Sequence, residues 1–293
     1  IHLDRLTHNL QLLQAQAGEV ALWPVIKANA YGHGAALVAR HLGTLGYRTL
    51  GVADVAEAAQ LADQGIDATF IVLSATLPEH SEALVACGCE PVVCTREMVD
   101  ALARAADRQG RRVSVHVKVD TGMGRVGIRP DEVVAFLEHC RARPGVRVRG
   151  IMSHFPRADE ADKAYSIAQL ERFRDVVAAT ARYGIEVRHM ANSAGILDIP
   201  GAQFDAVRPG IALYGLRPSD TIANPRVHEL APVLEWKTRI TYLKEVPAGT
   251  GLSYGHAWRA PAPALIATVP VGYGDGLSRS LSNNLELLVQ GVR

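Results

Sequence analysis

Only four cysteines stand in this sequence of 293 residues. Three of them, Cys87, Cys89 and Cys94, fall close together. No fourth ligand stands at zinc spacing, and Cys94 ends the apolar run Pro91-Val92-Val93. No metal site is therefore expected; reduced core thiols of a cytoplasmic protein are. Charge of one sign is also lacking. The formal net charge is +1 and no basic block stands out, so nucleic acid is not an expected partner. Long apolar runs are missing too. The longest, Ala260 to Gly272, is broken by Pro261, Pro263 and Pro270, and reads as strand rather than as a membrane span. No signal-peptide pattern precedes the first helical segment. No G-x-G-x-x-G turn follows the first strand-like run, which argues against an open dinucleotide-binding sheet.

What is present supports a sizeable core: 48% of the residues are hydrophobic and 21% are charged. Leu3, Leu6, Leu10 and Leu13 recur at spacings of three and four, predicting a helix that Gly18 closes. Eight short apolar runs follow: Val20–Ala28, Thr49–Ala53, Thr69–Ser74, Pro91–Cys94, Val113–Asp120, Val148–Phe155, Ile185–Asn192 and Ala206–Leu213. Helical segments such as Asp54–Gln64 and Arg96–Gln109 separate most of them. Eight such units predict an α/β fold, a (β/α)₈ TIM barrel, over residues 1–229. From about residue 230 the texture changes. Leu234, Trp236, Thr238, Ile240 and Tyr242 alternate with polar residues, the period of a half-exposed antiparallel strand. Ala264–Val271 and Leu285–Val289 supply further strands, so residues 230–293 read as a mostly antiparallel β domain. The sequence starts without Met and stops just after an apolar strand-like run. The expectation is that residues are missing at both ends and that this β domain is incomplete.

Barrel enzymes work at the C-terminal ends of their strands. There the sequence places Lys27 at the end of the first strand, Lys118 and Asp120 at the end of the fifth, and Arg125 just beyond. Ser153-His154-Phe155 ends the sixth, Asn192-Ser193 the seventh, and the eighth begins around Arg208-Pro209-Gly210. Lys27, Arg125 and Arg208 make the mouth cationic, which calls for an anionic ligand. Ser193 and the amides of Gly210 and Ile211 fall after strands seven and eight, the usual phosphate corner of such barrels. A phosphate-bearing cofactor beside a reactive lysine points to pyridoxal phosphate held as a Schiff base. A lysine aldolase on the same fold has a similar mouth.

Seven stretches, in order along the chain, resemble the alanine racemase family of fold-type III pyridoxal-phosphate enzymes. They are Val25-Ile26-Lys27-Ala28-Asn29-Ala30-Tyr31-Gly32-His33-Gly34, Lys118–Gly127, Ser153-His154-Phe155, Ala191-Asn192-Ser193-Ala194, Val207–Gly215, Ser253-Tyr254-Gly255 and Pro270–Gly276. The resemblance implies a two-base isomerase that interconverts L- and D-alanine and supplies D-alanine for peptidoglycan. It implies that Lys27 carries pyridoxal 5'-phosphate and serves one face of the substrate. Tyr254, contributed across a homodimer interface, serves the other. Tyr31, Asn192, Ser193, Gly210 and Ile211 match cofactor-site positions. Arg208 matches the partner of the pyridine nitrogen, and His154 the residue linking that arginine toward the tyrosine. Arg125 matches a substrate-carboxylate residue, Tyr273 a residue at the substrate entrance, and Lys118 a lysine that is often carbamylated. Two bases suit a reaction that removes a proton from one face and returns it to the other. Bringing a phenol from a pKa of ~10 to neutral pH requires roughly 4 kcal/mol of phenolate stabilisation, which nearby cations can supply. The rival readings are a broad-specificity racemase and a non-catalytic pyridoxal-phosphate barrel, which would lack the segment bearing Tyr254. A decarboxylase of the same fold type would show an acidic partner in place of Arg208.

Overall fold

The computed structural model describes residues 1–292, which fall into two compact units, Ile1–Leu234 and the residues from Glu235. In the first unit eight parallel strands form one sheet: β1 (Ala21–Leu22), β2 (Thr49–Val52), β3 (Thr69–Val72), β4 (Glu90–Val93), β5 (Val113–Lys118), β6 (Val146–Met152), β7 (Val187–His189) and β8 (Ala206–Val207). Their spatial order is β1-β8-β7-β6-β5-β4-β3-β2. The ring closes where Val25 bridges Gly51 in parallel register, with Ile26 N–H donating to Gly51 O at 2.8 Å and Gly51 N–H to Pro24 O at 2.9 Å. This is the barrel that the eight apolar runs predict. Each run contributes a strand, and all but β4 are shorter than the run.

The helices follow from local chemistry. Leu3–Ala17 buries Leu6, Leu10 and Leu13, and Gly18, at φ 77°, turns the chain out. Asp54 and Thr95 cap the helices Val55–Asp63 and Arg96–Arg108 by accepting the Glu57 and Met98 amides. Most of the core lies between helices and strands, and each fully buried Leu, Val or Phe contributes about 1.5–3 kcal/mol. A smaller cluster, Trp23, Ile71, Val92, Met152 and Ala206, draws on β3, β4, β6, β8 and the end of β1, and so faces the inside of the ring.

Two expectations fail in this unit. Ala28 does not continue a strand, and the run Ala206–Leu213 is strand only over β8. Beyond Pro209 it becomes a short 3-10 turn, Ile211–Tyr214, because Leu213 N–H closes back on Gly210 O.

The second unit has two small antiparallel pairs: β9 (Tyr242–Val246) with β12 (Ala264–Thr268), and β10 (Gly251–Leu252) with β11 (Trp258–Arg259). Of the strands expected over Leu234–Tyr242 and Leu285–Val289, the first begins only at Tyr242, and the second shows a single isolated bridge, Val289 to Val292. An alternating pattern becomes a strand only when another strand takes its N–H and C=O groups; β12 does this for β9 and for the Thr241 N–H, which donates to Thr268 O at 2.9 Å. Among the described residues, no helix is long and apolar enough to cross a membrane.

Candidate active site

Lys27 follows the end of β1, after Trp23-Pro24-Val25-Ile26. The next four residues, Ala28, Asn29, Ala30 and Tyr31, all have φ between 51° and 55°. A left-handed turn of L-residues costs roughly 1–2 kcal/mol per residue, so something must hold it. Glu57 accepts the Ala28 amide at 2.6 Å and the Ala53 amide at 2.7 Å, tying the turn to the end of β2. Asn29 Oδ1 accepts the Ala35 amide at 2.8 Å. The His33 ring donates from Nδ1 to the carbonyls of Ala30 and Tyr31, at 3.0 and 3.1 Å. Buried Tyr214 donates its hydroxyl to Val25 O at 2.9 Å and packs its ring against Tyr31 and His33. Ala28-Asn29-Ala30-Tyr31-Gly32-His33 is thus a self-locking turn that fixes where Lys27 starts. Lys27 itself is half-buried, not the buried lysine that its place at the end of an apolar run suggests. Its Nζ stands 6.0 Å from the Tyr31 ring centre.

The buried lysine is Lys118, at the end of β5 and 4% exposed. Burial, then Arg208 and Arg125, lower its pKa to about 8. Asp120 does not neutralise it by pairing. Its carboxylate instead accepts the amides of Gly122 and Gly124, at 2.9 and 3.0 Å, and closes the loop that carries Arg125.

After β7, Asn192 Oδ1 accepts the Gly195 amide at 2.9 Å and Nδ2 donates to Phe155 O at 3.1 Å, joining the loops after β6 and β7. Ser193 Oγ accepts two amides, Gly210 at 3.0 Å and Ala212 at 3.2 Å. With both lone pairs taken, its O–H is left to donate into the cavity. Gly210 lies so close to Tyr31 that a Cβ there would stand 2.4 Å from the Tyr31 hydroxyl oxygen. Burial raises the Tyr31 pKa, so that hydroxyl stays protonated and can donate.

Arg208 is 3% exposed, and burial lowers its pKa to about 9, which leaves it protonated at neutral pH. It donates to the carbonyls of Ser153 and Met190, at 2.8 and 3.1 Å. His154 Nδ1 lies 3.4 Å from it, a weak contact, while His189 Nδ1 lies at 2.5 Å. The His154 pKa is held well below the usual value by burial and then by the surrounding cations, so the ring is neutral.

Lys27, Tyr31, Lys118, Arg125, His154, Asn192, Ser193, Arg208, Gly210 and Ile211 line one cavity of about 750 Å³. Ten positions singled out in the sequence are therefore brought together. Tyr254 and Tyr273 belong to the second unit, where they are 90% and 68% exposed.

Residues 1–218 match the family Alanine racemase, N-terminal domain, and residues 233–293 match Alanine racemase, C-terminal domain. The chain belongs to the alanine racemase family. It is 40% identical to an alanine racemase of Desulfovibrio desulfuricans over all of this chain and 79% of that protein. The solved alanine racemase of Clostridium difficile 630 superposes with a TM-score of 0.90 at 35% identity, covering 95% of this chain and 74% of that one. The alanine racemase of Bartonella henselae, described with covalently bound pyridoxal phosphate, superposes at 0.80 and 25% identity, covering 96% and 77%.

Sequence reasoning singled out His154 beside Arg208 and overlooked His189, the closer imidazole. It also overlooked Glu57, which anchors the turn after Lys27, and His116. A signal for His116 was present: in Val113-Ser114-Val115-His116-Val117-Lys118 the polar residues alternate with valine, so His116 shares a face with Lys118.

Proposed function

We propose that this chain is a pyridoxal-phosphate-dependent alanine racemase: a cytoplasmic, homodimeric isomerase that supplies D-alanine for peptidoglycan. The observation that carries the reading is the meeting of Lys27, Tyr31, Ser193 and Arg208 on one cavity in a chain of this family. The donor set fits the cofactor. Tyr31 and Ser193 offer hydroxyl donors beside the Gly210–Ile211 backbone, suited to a phosphate. Lys27 offers an amine for the aldehyde, and Arg208 a permanent donor for the ring nitrogen.

When bound, pyridoxal phosphate supplies the electron sink that makes an amino acid's Cα proton acidic. The chain's own residues do the rest. The Lys27 amine takes and returns the proton on one face, and Tyr254 of the partner subunit does so on the other. Arg208 can only donate, so a pyridine nitrogen held against it would be an unprotonated acceptor. The group would then be a weaker electron sink, which suits simple proton return over decarboxylation. Arg125, at the mouth of the cavity, pairs with the substrate carboxylate, and Tyr273 narrows the entrance. His154, neutral and beside Arg208, extends that arginine's influence toward the phenol.

Lys118 has a role of its own. Its lowered pKa of about 8 leaves a fraction of neutral amine near neutral pH. Attack by that amine on carbon dioxide, with loss of one proton, gives a carbamate. The site then gains an anion between Arg208 and Arg125 in place of a third cation.

A chiral assay tests the reading. With added pyridoxal phosphate, L-alanine is expected to reach an equal mixture of enantiomers, with L-serine and L-lysine much slower. Carbon dioxide release without enantiomer exchange contradicts the reading and selects a decarboxylase.

A further inference from the structure

Behind the cavity, three buried titratable side chains form a continuous hydrogen-bonded chain that the proposed reaction does not use. Glu90 stands at the start of β4, His116 within β5 and His189 at the end of β7; all three are buried and none lines the cavity. Arg208 Nη1 lies 2.5 Å from His189 Nδ1. His189 Nε2 lies 2.9 Å from His116 Nδ1, and His116 Nε2 lies 2.9 Å from Glu90 Oε2. Arg149 Nη1 closes the far end on both Glu90 oxygens, at 2.5 and 2.6 Å.

The direction of every bond follows from one fact. A guanidinium only donates, so His189 Nδ1 must accept from Arg208. The His189 ring is then neutral, with its proton on Nε2, and donates to His116 Nδ1. His116 in turn carries its proton on Nε2 and donates to the Glu90 carboxylate. Reversing either histidine leaves two acceptors or two donors face to face. Burial lowers the pKa of both rings, in keeping with neutral imidazoles. Burial alone would raise that of Glu90, and the bonds from His116 and Arg149 overturn it, keeping the carboxylate ionised.

The fold makes room for this chain. Gly150 on β6 faces His116 so closely that a Cβ there would stand 2.0 Å from Nδ1. Trp23 packs edge-on against both imidazoles, with ring centres 5.8 Å from His116 and 4.9 Å from His189.

We propose that Glu90, acting through His116 and His189, is a positioning device for Arg208: it fixes the guanidinium in place and aligns its bonds in one sense behind the cofactor's ring nitrogen. The inference rests on the reading of Arg208 given above. Bonds aligned in one direction polarise one another, so the anionic end at Glu90 is felt at Arg208. Glu90, His116 and His189 touch neither substrate nor cofactor.

The test begins with the chain free of cofactor, labelled with ¹⁵N in its histidines, by long-range ¹H–¹⁵N NMR at neutral pH. His116 and His189 are expected to be neutral and protonated on Nε2. Either ring found protonated on Nδ1, or found as an imidazolium, overturns the proposal. This readout needs no activity, so it separates the two claims: if pyridoxal phosphate fails to bind, the reading of the site fails while the tautomers still decide the relay. In the loaded enzyme, Gly150→Ala pushes His116 aside and leaves every relay and cavity residue in the chain. It is expected to lower kcat about tenfold with KM little changed, and to shift the cofactor's visible absorption. Glu90→Gln, a gentler change, is expected to act in the same direction by a few-fold. Wild-type kcat and absorption in both folded variants would overturn the proposal.

Discussion

The two units both carry strand-like apolar segments and use them differently. In the first, each strand has neighbours in a closed ring, and the site residues are tied to the backbone by short hydrogen bonds. In the second, β9 and β12 pair only with each other, and Val246 and Ala260 are the only buried apolar residues among those described. Leu243, Leu265 and Trp236 are more than half exposed. The difference teaches that alternation in sequence states what a segment can pair with, while a partner decides whether it does. It also divides the proposed chemistry: Lys27, Arg208 and Ser193 are held by their own unit, whereas Tyr254 stands on an exposed turn.

The largest expected effect breaks that division by removing the second unit's proposed base. Tyr254→Phe should slow exchange of the Cα proton of L-alanine by about 100-fold or more, the usual range for a lost acid–base group. Exchange in D-alanine, served by Lys27, should fall much less. Deuterium wash-in from heavy water, followed for each enantiomer, is the right measurement. Steady-state kcat/KM is not, because an equilibrium constant of unity forces both directions to fall together. Equal loss of exchange for both enantiomers would remove the role assigned to Tyr254.

A smaller effect sharpens the comparison from the side of the barrel. His116 and His189 have pKa values held below the ordinary ~6.5 by burial, so the unfolded chain takes up protons that the folded chain refuses. The stability they contribute is whole above about pH 6.5 and is lost as pH falls below it, by up to ~1.4 kcal/mol per pH unit for each ring. Glu90, also held low, adds to this only below about pH 4.5. Trp23 touches both rings, while Trp236 and Trp258 lie in the second unit. In a Trp236→Phe, Trp258→Phe chain, Trp23 fluorescence in urea should therefore show a midpoint that falls between pH 7.5 and 5. A midpoint independent of pH over that range contradicts the assignment of neutral buried imidazoles.

Much of the barrel was legible because its strands are short apolar runs separated by amphipathic helices, patterns set by local burial. The site was legible where side chains of unusual chemistry stand at strand ends, as Lys27, Lys118 and Arg208 do. What escaped depends on distant partners. Four residues at positive φ cannot be read from Ala28-Asn29-Ala30-Tyr31 alone, since Glu57 and His33 hold them. The choice between His154 and His189 beside Arg208 turns on about 1 Å, which no spacing encodes. Glu90 looks like an ordinary charged residue at a strand start until Arg149 and His116 close on it. The strands expected over 234–241 and 285–289 did not form as expected, because alternation alone does not make a strand.

Lys27 is the residue proposed to hold the cofactor, and borohydride reduction shows whether it does. The chain is loaded with pyridoxal phosphate, reduced, digested and mapped by mass. Reduced cofactor is expected on the peptide bearing Lys27, with none trapped in a folded Lys27→Ala protein. Cofactor mapped to Lys118 or another lysine, or still trapped in Lys27→Ala, would contradict it.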